Sequence, residues 1–393
     1  MRIAYVVPDP YPTNSAGTQR VNGIIVALRS AGHEVTVVSP SAPPTENVDR
    51  PWSTADEVVF LSESPRHPDS RLGRGWHGLT TGAAAQKRLV EAAPRPNVVI
   101  LYGTRLSYLM RLRRSCQRLA VPLVVDLVEW YDPAHLPGGR FGPFSVANAA
   151  AMRSVGSASG AIVISSFLEE HYRSDDFPVI RVPPLMPDEP GTASGLTGRG
   201  GSLTLSYVGF PGRKDAATLR SLWELDRYLG DDISRVKVEV AGITAQGAAS
   251  LLGIQGPSPA HMHWHGRLDH SAARQLVAGS DFVVLQRPEA RYAKAGFPTK
   301  IVESLWMGTP VMANNSSDLA AYLVEGFNAA SVEDDSPGAL ARTVRRQLVE
   351  KSSFERAAIQ EAARRDFASS RFTDVLSAFM EQILGDSRDT SRR

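Results

Sequence analysis

The first 38 residues, MRIAYVVPDPYPTNSAGTQRVNGIIVALRSAGHEVTVV, contain a complete strand–helix–strand unit. Residues 3–7 form an apolar run that is typical of a buried strand. After a polar loop, apolar residues recur at helical spacing from Val21 to Leu28, and Gly32 stands where such a helix should end. Residues 34–38 predict the next strand. Two buried strands joined by a helix indicate a parallel sheet, and this places the chain in the α/β class.

The same alternation of strands and helices runs along the rest of the 393 residues. Residues 186–202, MPDEPGTASGLTGRGGS, interrupt it, because they lack periodicity and are rich in Gly, Pro and Ser, as linkers are. We therefore predict a Rossmann-like domain over residues 1–187, a second one over residues 188–370, and a C-terminal helix and tail over residues 371–393 that returns to the first domain. Further elements are predicted as strands 98–101, 123–126, 161–164, 203–208, 236–241, 282–285 and 310–313, and helices 105–119, 143–157, 337–351 and 353–384.

Composition narrows the functional classes. The formal net charge of +2 gives no reason to expect nucleic acid as a partner, and the single cysteine, Cys116, excludes an internal disulfide framework and a Cys-rich zinc site. No secretory leader is recognisable and no stretch approaches the roughly 18 apolar residues that span a bilayer, so we expect a cytoplasmic protein. Residues 105–118 carry several arginines among leucines. A solvated surface is the simpler interpretation, and weak peripheral contact with an anionic membrane is the alternative.

Loops that follow strands carry the candidate ligand-binding residues, because open parallel sheets bind ligands at the carboxyl ends of their strands. Gly17 follows the first strand and precedes a helix, where a backbone can approach an anion closely; an ordinary turn is the alternative. In GFPGRKD, residues 209–215, Arg213 and Lys214 stand at the start of a helix that Asp215 is predicted to cap. The helix dipole disfavours cations there, so a diphosphate ligand would explain both charges, and a solvated charged turn is the alternative.

The richest of these loops is RYAKAGFPTKIVE, residues 291–303. Gly296 predicts a tight, exposed turn, and Thr299 is placed to cap the helix that follows. Glu303 lies near the start of that helix, where a carboxylate can accept hydrogen bonds from both hydroxyls of a ribose. The alternative is an acidic side chain that stabilises a helix N-terminus.

Residues 295–326, AGFPTKIVESLWMGTPVMANNSSDLAAYLVEG, resemble the donor-binding region of glycosyltransferase family 4. Members of that family have the GT-B fold, an α/β fold of two Rossmann-like domains facing across a cleft with C-terminal helices that pack back. GFPGRKD resembles the family's diphosphate clamp, and HGRLDHSAARQLVAGSDFVVL, residues 265–285, resembles its nucleobase-binding segment. VVDLVEWYDP, residues 124–133, and the Gly17 loop also fit, so the resemblance runs along nearly the whole chain.

This resemblance implies a retaining glycosyltransferase that moves a sugar from a nucleoside diphosphate sugar, with UDP the favoured nucleotide, to a saccharide or small-molecule acceptor. It implies no cofactor beyond the donor and no metal. Glu303 is implied to hold the donor ribose, and the implied catalytic set is Lys214, Arg213 and Glu129. The implied donor-binding residues are Gly17, Gly209, Arg213, Lys214, Gly266, Arg267, Leu268, Ala295, Gly296, Phe297, Pro298, Thr299 and Glu303.

The chain departs from the family pattern at three places. Ala295 stands where the family has the first glutamate of its glutamate–seven residues–glutamate signature, a loss shared by relatives with a Phe-Pro-Thr-Lys turn. Phe210 replaces the arginine that commonly follows the clamp glycine, and Arg213 is the candidate substitute. The histidine often found after the fourth strand is missing, with Asp126 or Glu129 nearby instead. Two other functions therefore stay open: a donor-binding pseudo-enzyme without turnover, and a sugar-nucleotide epimerase of the same fold.

A metal site finds little support in the sequence. His261, His263 and His265 alternate on a predicted strand and so could share one face. No carboxylate lies at a matching spacing, and we interpret the three histidines as structural. The sequence also contains no Asp-x-Asp triplet, so cationic side chains are expected to hold the diphosphate.

Overall fold

The chain forms two compact units, each built on its own parallel sheet. The computed structural model describes residues 1–13, 15–42, 53–62, 81–188, 201–350 and 353–390. One unit comprises Met1–Pro187 with Ser369–Arg393, and the other Asp188–Ala368. The two sheets confirm the predicted α/β class with two Rossmann-like domains. Most of the predicted linker lies outside the described residues.

The first unit contains one parallel sheet with helices along its length. Its described strands are β1 Arg2–Val6, β2 Glu34–Ser39, β3 Glu57–Phe60, β4 Val98–Tyr102, β5 Leu123–Leu127, β6 Gly160–Val163 and β7 Val179–Arg181. They are ordered β3-β2-β1-β4-β5-β6-β7. The helices are α1 Ala16–Ser30, α2 Ala83–Glu91, α3 Leu106–Leu119, α4 Pro143–Ser154 and α5 Ser166–Tyr172. The sequence pattern misses β3 and β7, which are short strands at the two edges of the sheet, and α2, which buries only Ala85 and Leu89.

The second unit repeats this arrangement around a central strand. Its described strands are β8 Leu203–Val208, β9 Val236–Ala241, β10 Met262–Gly266, β11 Phe282–Leu285, β12 Val311–Asn314 and β13 Ala329–Val332. Their order is β10-β9-β8-β11-β12-β13, so β8 lies between β9 and β11. The helices are α6 Ala216–Trp223, α7 Leu225–Leu229, α8 Ala245–Leu252, α9 His270–Ala278, α10 Arg291–Ala295, α11 Thr299–Trp306, α12 Pro337–Glu350 and α13 Arg356–Phe367. Because all pairs are parallel, the carboxyl ends of β8, β9 and β11 lie on one edge.

The last helix, α14 Thr373–Thr390, belongs to the core of the first unit. Its apolar side chains Leu376, Phe379, Met380 and Ile383 are buried in one cluster with Ile24 of α1. The prediction of a single helix over residues 353–384 is wrong, because the chain leaves helical geometry at Ala368 and α13 and α14 belong to different units. An apolar periodicity cannot reveal that break, since both helices are amphipathic.

A buried ion pair joins the central elements of the first unit. Asp126 Oδ1 accepts a hydrogen bond from Arg20 Nη2 at 2.6 Å, and Asp126 Oδ2 accepts one from the Tyr5 hydroxyl at 2.6 Å. The Arg20 guanidinium also donates to the carbonyl of Val182 at 2.9 Å. Since the Asp126 side chain is fully buried in these contacts, its role is structural, and Glu129 remains the acidic candidate of that segment.

Candidate functional site

Three neighbouring strands of the second unit, β10, β9 and β8, end at glycines. Gly209, Gly242 and Gly266 have φ angles of 138°, 100° and 61°, in the region that favours glycine. Their backbones pack directly: Gly242 N donates to Gly266 O at 2.6 Å, and a Cβ on Gly242 would collide with the carbonyl of Gly209. The ends of the three strands therefore pack backbone against backbone, which requires glycine at position 242. Gly209 and Gly266 are among the residues predicted from the sequence. Gly242 is not, although it also follows a predicted strand directly.

The loop 209–215 closes on itself through Asp215. The Asp215 carboxylate accepts a hydrogen bond from Gly212 N at 3.0 Å, and Asp215 N donates to Gly212 O at 2.9 Å. The prediction that the Asp215 side chain caps α6 is wrong: Asp215 holds the N-cap position, but its side chain accepts no hydrogen bond from that helix. The carboxylate instead faces the ammonium group of Lys300.

Lys300, in the first turn of α11, ties this loop to the next one. Its Nζ donates to the Tyr207 hydroxyl at 2.6 Å and to Asp215 Oδ1 at 3.1 Å, and it lies 4.2 Å from the centroid of the Tyr207 ring. The stem of Lys300 passes so close to Gly209 that a Cβ there would collide with it. Lys300 is not among the residues predicted from the sequence, although, like Lys214, it stands at a helix start, where the dipole disfavours a cation.

The two partners of this ion pair shift each other's pKa. Burial alone would raise the pKa of Asp215, but the Lys300 ammonium and the Gly212 amide outweigh it, and the net pKa is lowered. Burial lowers the pKa of Lys300, and the Asp215 carboxylate offsets only part of that effect. Nearby cations, Arg287 and Lys214, lower it further.

Two further cations act electrostatically on Lys300. Lys214 is exposed and Arg287 half-buried, and both act electrostatically on Lys300 and on the buried Tyr292. Asp215 is the carboxylate that acts on both of these groups. The side chain of Arg213 lies outside what the structure describes.

The turn between α10 and α11 differs from its prediction. Gly296 has φ −91° and ψ 161°, an extended conformation open to any residue, and it is buried, so the expected exposed glycine turn is wrong. Ala295 is fully buried at the end of α10, and Pro298 is also buried. The Phe297 ring packs against the rings of Tyr322 and Phe367, at centroid distances of 5.6 and 6.2 Å. Phe297 can therefore contact a ligand only through its backbone.

Helix α11 begins without a side-chain cap. Pro298 occupies the N-cap position, and Thr299 is the first helical residue, so the prediction that Thr299 caps this helix is wrong. The proline side chain has no oxygen, so it cannot accept a hydrogen bond from the first amide groups of the helix. Glu303 lies half-buried in the second turn of the same helix. Lys300 and Glu303 are thus carried three residues apart, on neighbouring positions of one helix.

The segment 266–268 meets the loop 209–215 through an arginine and an aromatic ring. The guanidinium of Arg267 lies 5.4 Å from the centroid of the Phe210 ring, which is 62% exposed. Leu268 is half-buried, and Asp269 then caps α9 by accepting from Ala272 N at 2.7 Å. The three loops that sequence analysis assigned to donor binding are therefore brought together in one unit.

Gly17 and Glu129 lie in the first unit. Gly17 is the second residue of α1 and not part of a loop, because Ser15 caps the helix by accepting from Thr18 N at 3.2 Å. A Cβ on Gly17 would come within 2.9 Å of the Tyr102 hydroxyl, so the tyrosine ring lies close against the start of α1. Glu129 is half-buried after β5 and acts electrostatically on Tyr102, whose pKa is raised mainly by burial. Both residues thus lie at the carboxyl edge of the first sheet.

The histidines have separate structural contacts. His261 Nε2 lies 3.0 Å from the carbonyl of Leu222, and His265 Nε2 lies 2.6 Å from Glu239 Oε2. Among the residues that the structure describes, no group of three His, Cys, Asp or Glu side chains could hold a metal ion. Nor does any helix in the described ranges have the length and apolar character needed to cross a bilayer.

Two family models match the chain, one in each unit. Residues 15–188 match the model described as glycosyl transferase 4-like domain. Residues 233–366 match the model described as glycosyl transferases group 1. The second match includes the segments 266–268 and 295–303, and the first includes Gly17 and Glu129.

Solved structures match the chain along nearly its full length. Sucrose-phosphate synthase from Thermosynechococcus elongatus has a TM-score of 0.71 at 12% identity, with 98% of this chain and 99% of that one covered. HepE from Anabaena, determined with UDP and glucose, has a TM-score of 0.62 at 14% identity, covering 97% and 100%. A glycosyltransferase from Rickettsia africae has a TM-score of 0.63 at 14% identity, covering 98% of each chain. At these identities the likeness is one of fold.

A curated relative carries a different description. Residues of this chain are 31% identical over 165 positions to a protein from Thermobifida fusca described as uracil-DNA glycosylase. That match covers 38% of this chain, and the chain spans 66% of the length of the relative.

The Lys300–Asp215 pair leads to a prediction for stability. Replacing Lys300 with methionine should lower the free energy of unfolding by about 1–3 kcal/mol, because the Asp215 carboxylate loses a charged hydrogen-bond donor. In the wild type, the stabilisation from Asp215 is present above its unfolded pKa, about 4, and is lost as the pH falls through its lowered pKa. In the variant, burial of Asp215 without the Lys300 ammonium should raise the pKa of Asp215. The loss of stability relative to the wild type should therefore be smaller at pH 5 than at pH 7. Urea denaturation at both pH values measures this.

Two further variants control this measurement. The double variant Lys300→Met, Asp215→Asn should lose less than the two single variants together, because both remove one interaction. Arg342→Gln breaks an exposed pair with Glu333 and should cost less than about 1 kcal/mol. Additive losses, or a deficit that does not change with pH, would contradict the ion pair.

Proposed function

We infer from the two family-model matches that the chain is a glycosyltransferase of the GT-B fold. We propose that it transfers a sugar from a nucleoside diphosphate sugar to a saccharide or small-molecule acceptor, with retention of configuration. UDP is the nucleotide we propose first, and HepE, a fold neighbour, was determined with UDP. We propose no cofactor beyond the donor itself.

The observation that carries this proposal is the charge of the strand edge in the second unit. Lys300 pairs with Asp215 there, and Lys214 and Arg287 act electrostatically on Lys300. The diphosphate of a nucleotide sugar carries about two negative charges, which cations at this edge would help to balance. The glycines that end β8, β9 and β10 would let the diphosphate and the base approach the backbone.

In the proposed reaction, the bond between the anomeric carbon and the diphosphate oxygen breaks, and the diphosphate keeps the electron pair. The acceptor hydroxyl oxygen bonds to the anomeric carbon on the same face, and its proton passes to the leaving phosphate oxygen. Negative charge therefore grows on the diphosphate, and Lys214, with Arg213, would stabilise it. Glu303 would orient the ribose, and Gly17 and Glu129 would help to place the acceptor and the donor sugar.

Release of nucleoside diphosphate, measured with and without acceptors, tests this function. The panel would contain several UDP-, GDP- and ADP-sugars, each assayed with and without EDTA. A glycosyltransferase releases the nucleotide faster when its acceptor is present, and EDTA should leave the rate unchanged. Donor binding with no release would indicate a pseudo-enzyme, and interconversion of the sugar without release would indicate an epimerase. Uracil-containing DNA serves as a counter-test and should yield no free uracil, in view of the description of the curated relative.

Glu303→Gln provides a prediction specific to the ribose. The substitution keeps the shape of the side chain and removes its charge, so nucleoside diphosphate affinity should fall about ten- to a hundredfold, for charge-assisted hydrogen bonds of about 1.5–3 kcal/mol. A 2′-deoxy nucleotide should bind the wild type less tightly but should be penalised much less in the variant, because both changes remove one interaction. Calorimetric titration of the four combinations gives the coupling.

The matched control for this cycle is Glu333→Gln, since Glu333 is 74% exposed and pairs with Arg342 on the same unit. It should leave both affinities unchanged within about twofold. If the losses from Glu303→Gln and from the 2′-deoxy nucleotide simply add, Glu303 does not contact the ribose.

A further inference from the structure

Three large apolar side chains of one short segment in the first unit face solvent. Phe141 is 91% exposed, Phe144 59% and Val146 61%, and we call these three side chains the Phe141 patch. Phe141 lies in the loop between β5 and α4, and the other two lie in the first turn of α4. Single exposed apolar side chains are common on protein surfaces, whereas a cluster of them marks a site of interaction.

The backbone beneath the patch is held by its own contacts. The buried hydroxyl of Ser145 donates to the carbonyl of Gly139 at 2.6 Å, and Gly142 N donates to the same carbonyl at 3.1 Å. A Cβ on Gly142 would collide with the backbone of Pro137 and Gly138, so the loop folds closely back on itself. The two phenylalanine rings are therefore exposed on a well-held backbone.

The charge next to the patch is positive. Arg140 and Arg153 are exposed, and neither forms an ion pair with any residue that the structure describes. No aspartate or glutamate occurs in residues 133–168. Asp132 precedes this stretch, and its carboxylate lies 3.8 Å from the ring of His135. The patch is thus flanked by arginines, with no carboxylate in its own segment.

The neighbouring helix α3 extends this basic surface. It packs against α4, and Arg113 Nη1 donates to the hydroxyl of Ser157, just beyond that helix, at 2.7 Å. Arg114 and Arg118 are exposed, and within the described ranges no ion pair involves either of them. Residues 102–125, which include α3, contain no acidic side chain. Contact with an anionic membrane was the alternative interpretation of these arginines, and the apolar patch on the next helix favours it.

The exposure of Phe141 indicates which kind of partner the patch fits. A ring that is 91% exposed makes almost no contact with its own protein, so it cannot form the wall of a pocket for a small molecule. Exposed rings beside arginines are suited to the surface of an anionic bilayer, where the rings enter the headgroup region and the guanidinium groups stay with the phosphates.

We propose that the Phe141 patch docks the first unit on an anionic membrane surface. The rings supply the apolar contact, and Arg140, Arg153 and the arginines of α3 supply the attraction to negative lipid headgroups. This inference goes beyond the proposed function and does not depend on sugar transfer.

Cosedimentation of the full chain with lipid vesicles tests this docking. The wild type should bind vesicles of phosphatidylcholine mixed with phosphatidylglycerol more tightly than vesicles of pure phosphatidylcholine, and high salt should weaken that binding. The double variant Phe141→Ser, Phe144→Ser should lower the partition into mixed vesicles about tenfold or more, because two rings no longer enter the bilayer. Arg140→Gln should lower it about fivefold, since one cation fewer faces the headgroups.

Two variants of the second unit are matched controls. Val349→Ser removes an apolar side chain that is 74% exposed on α12, and Arg342→Gln removes an exposed positive charge. Neither should change the partition by more than about twofold. Urea denaturation should give the double phenylalanine variant the same free energy of unfolding as the wild type, because both rings are exposed. Lost vesicle binding would then not result from unfolding.

Three results would overturn the proposal. The first is a wild type that does not bind the mixed vesicles, or that binds pure phosphatidylcholine equally well. The second is a double phenylalanine variant that binds the mixed vesicles as the wild type does. The third is a lipid-free wild type that is a dimer by light scattering while the double variant is a monomer, since the patch would then bind a second copy of the chain.

Discussion

The site in the second unit depends on one interaction, the placement of the Lys300 ammonium between Tyr207 and Asp215. Tyr207 belongs to β8, Asp215 to the loop that follows it, and Lys300 to the first turn of α11, so three parts of the fold meet at one nitrogen. The stem of the lysine occupies the space beside Gly209 that a side chain would otherwise fill. The loop therefore needs glycine at position 209. The conformation of the loop and the position of α11 depend on each other.

The same interaction organises the electrostatics. Asp215 carries the carboxylate that pairs with Lys300, and Lys214 and Arg287 act electrostatically on the same lysine. The glycines that end β8, β9 and β10 lie on the same edge of the sheet. In the first unit, by contrast, the buried carboxylate of Asp126 is matched by Arg20 and Tyr5, so its charge is used for structure. The first unit thus uses a buried carboxylate for structure, whereas the second unit has cations near the ends of its strands.

Much of the fold could be predicted because it follows from periodicity. The buried strands and long amphipathic helices are visible in the order of apolar residues, whereas the edge strands β3 and β7 are short and half-buried and leave no clear pattern. The candidate site was found where residues of one loop share a family motif, as in 209–215 and 295–303. The sequence does not reveal what Lys300 and Arg287 interact with, because their neighbours come from other parts of the chain. The expected exposed turn at Gly296 is wrong because Gly296 and Phe297 are both buried, and Phe297 packs against rings from distant parts of the chain.

Amide hydrogen exchange with and without saturating UDP tests most directly whether the nucleotide occupies this edge of the second unit. Binding should protect peptides that cover 209–215, 266–268 and 295–303 together, while α12, Pro337–Glu350, of the same unit should be unaffected. The protection at 209–215 should weaken in Lys300→Met, because the loop loses the bond that holds it. Protection confined to other peptides, with these three segments unchanged, would contradict a nucleotide site built on the Lys300 interaction.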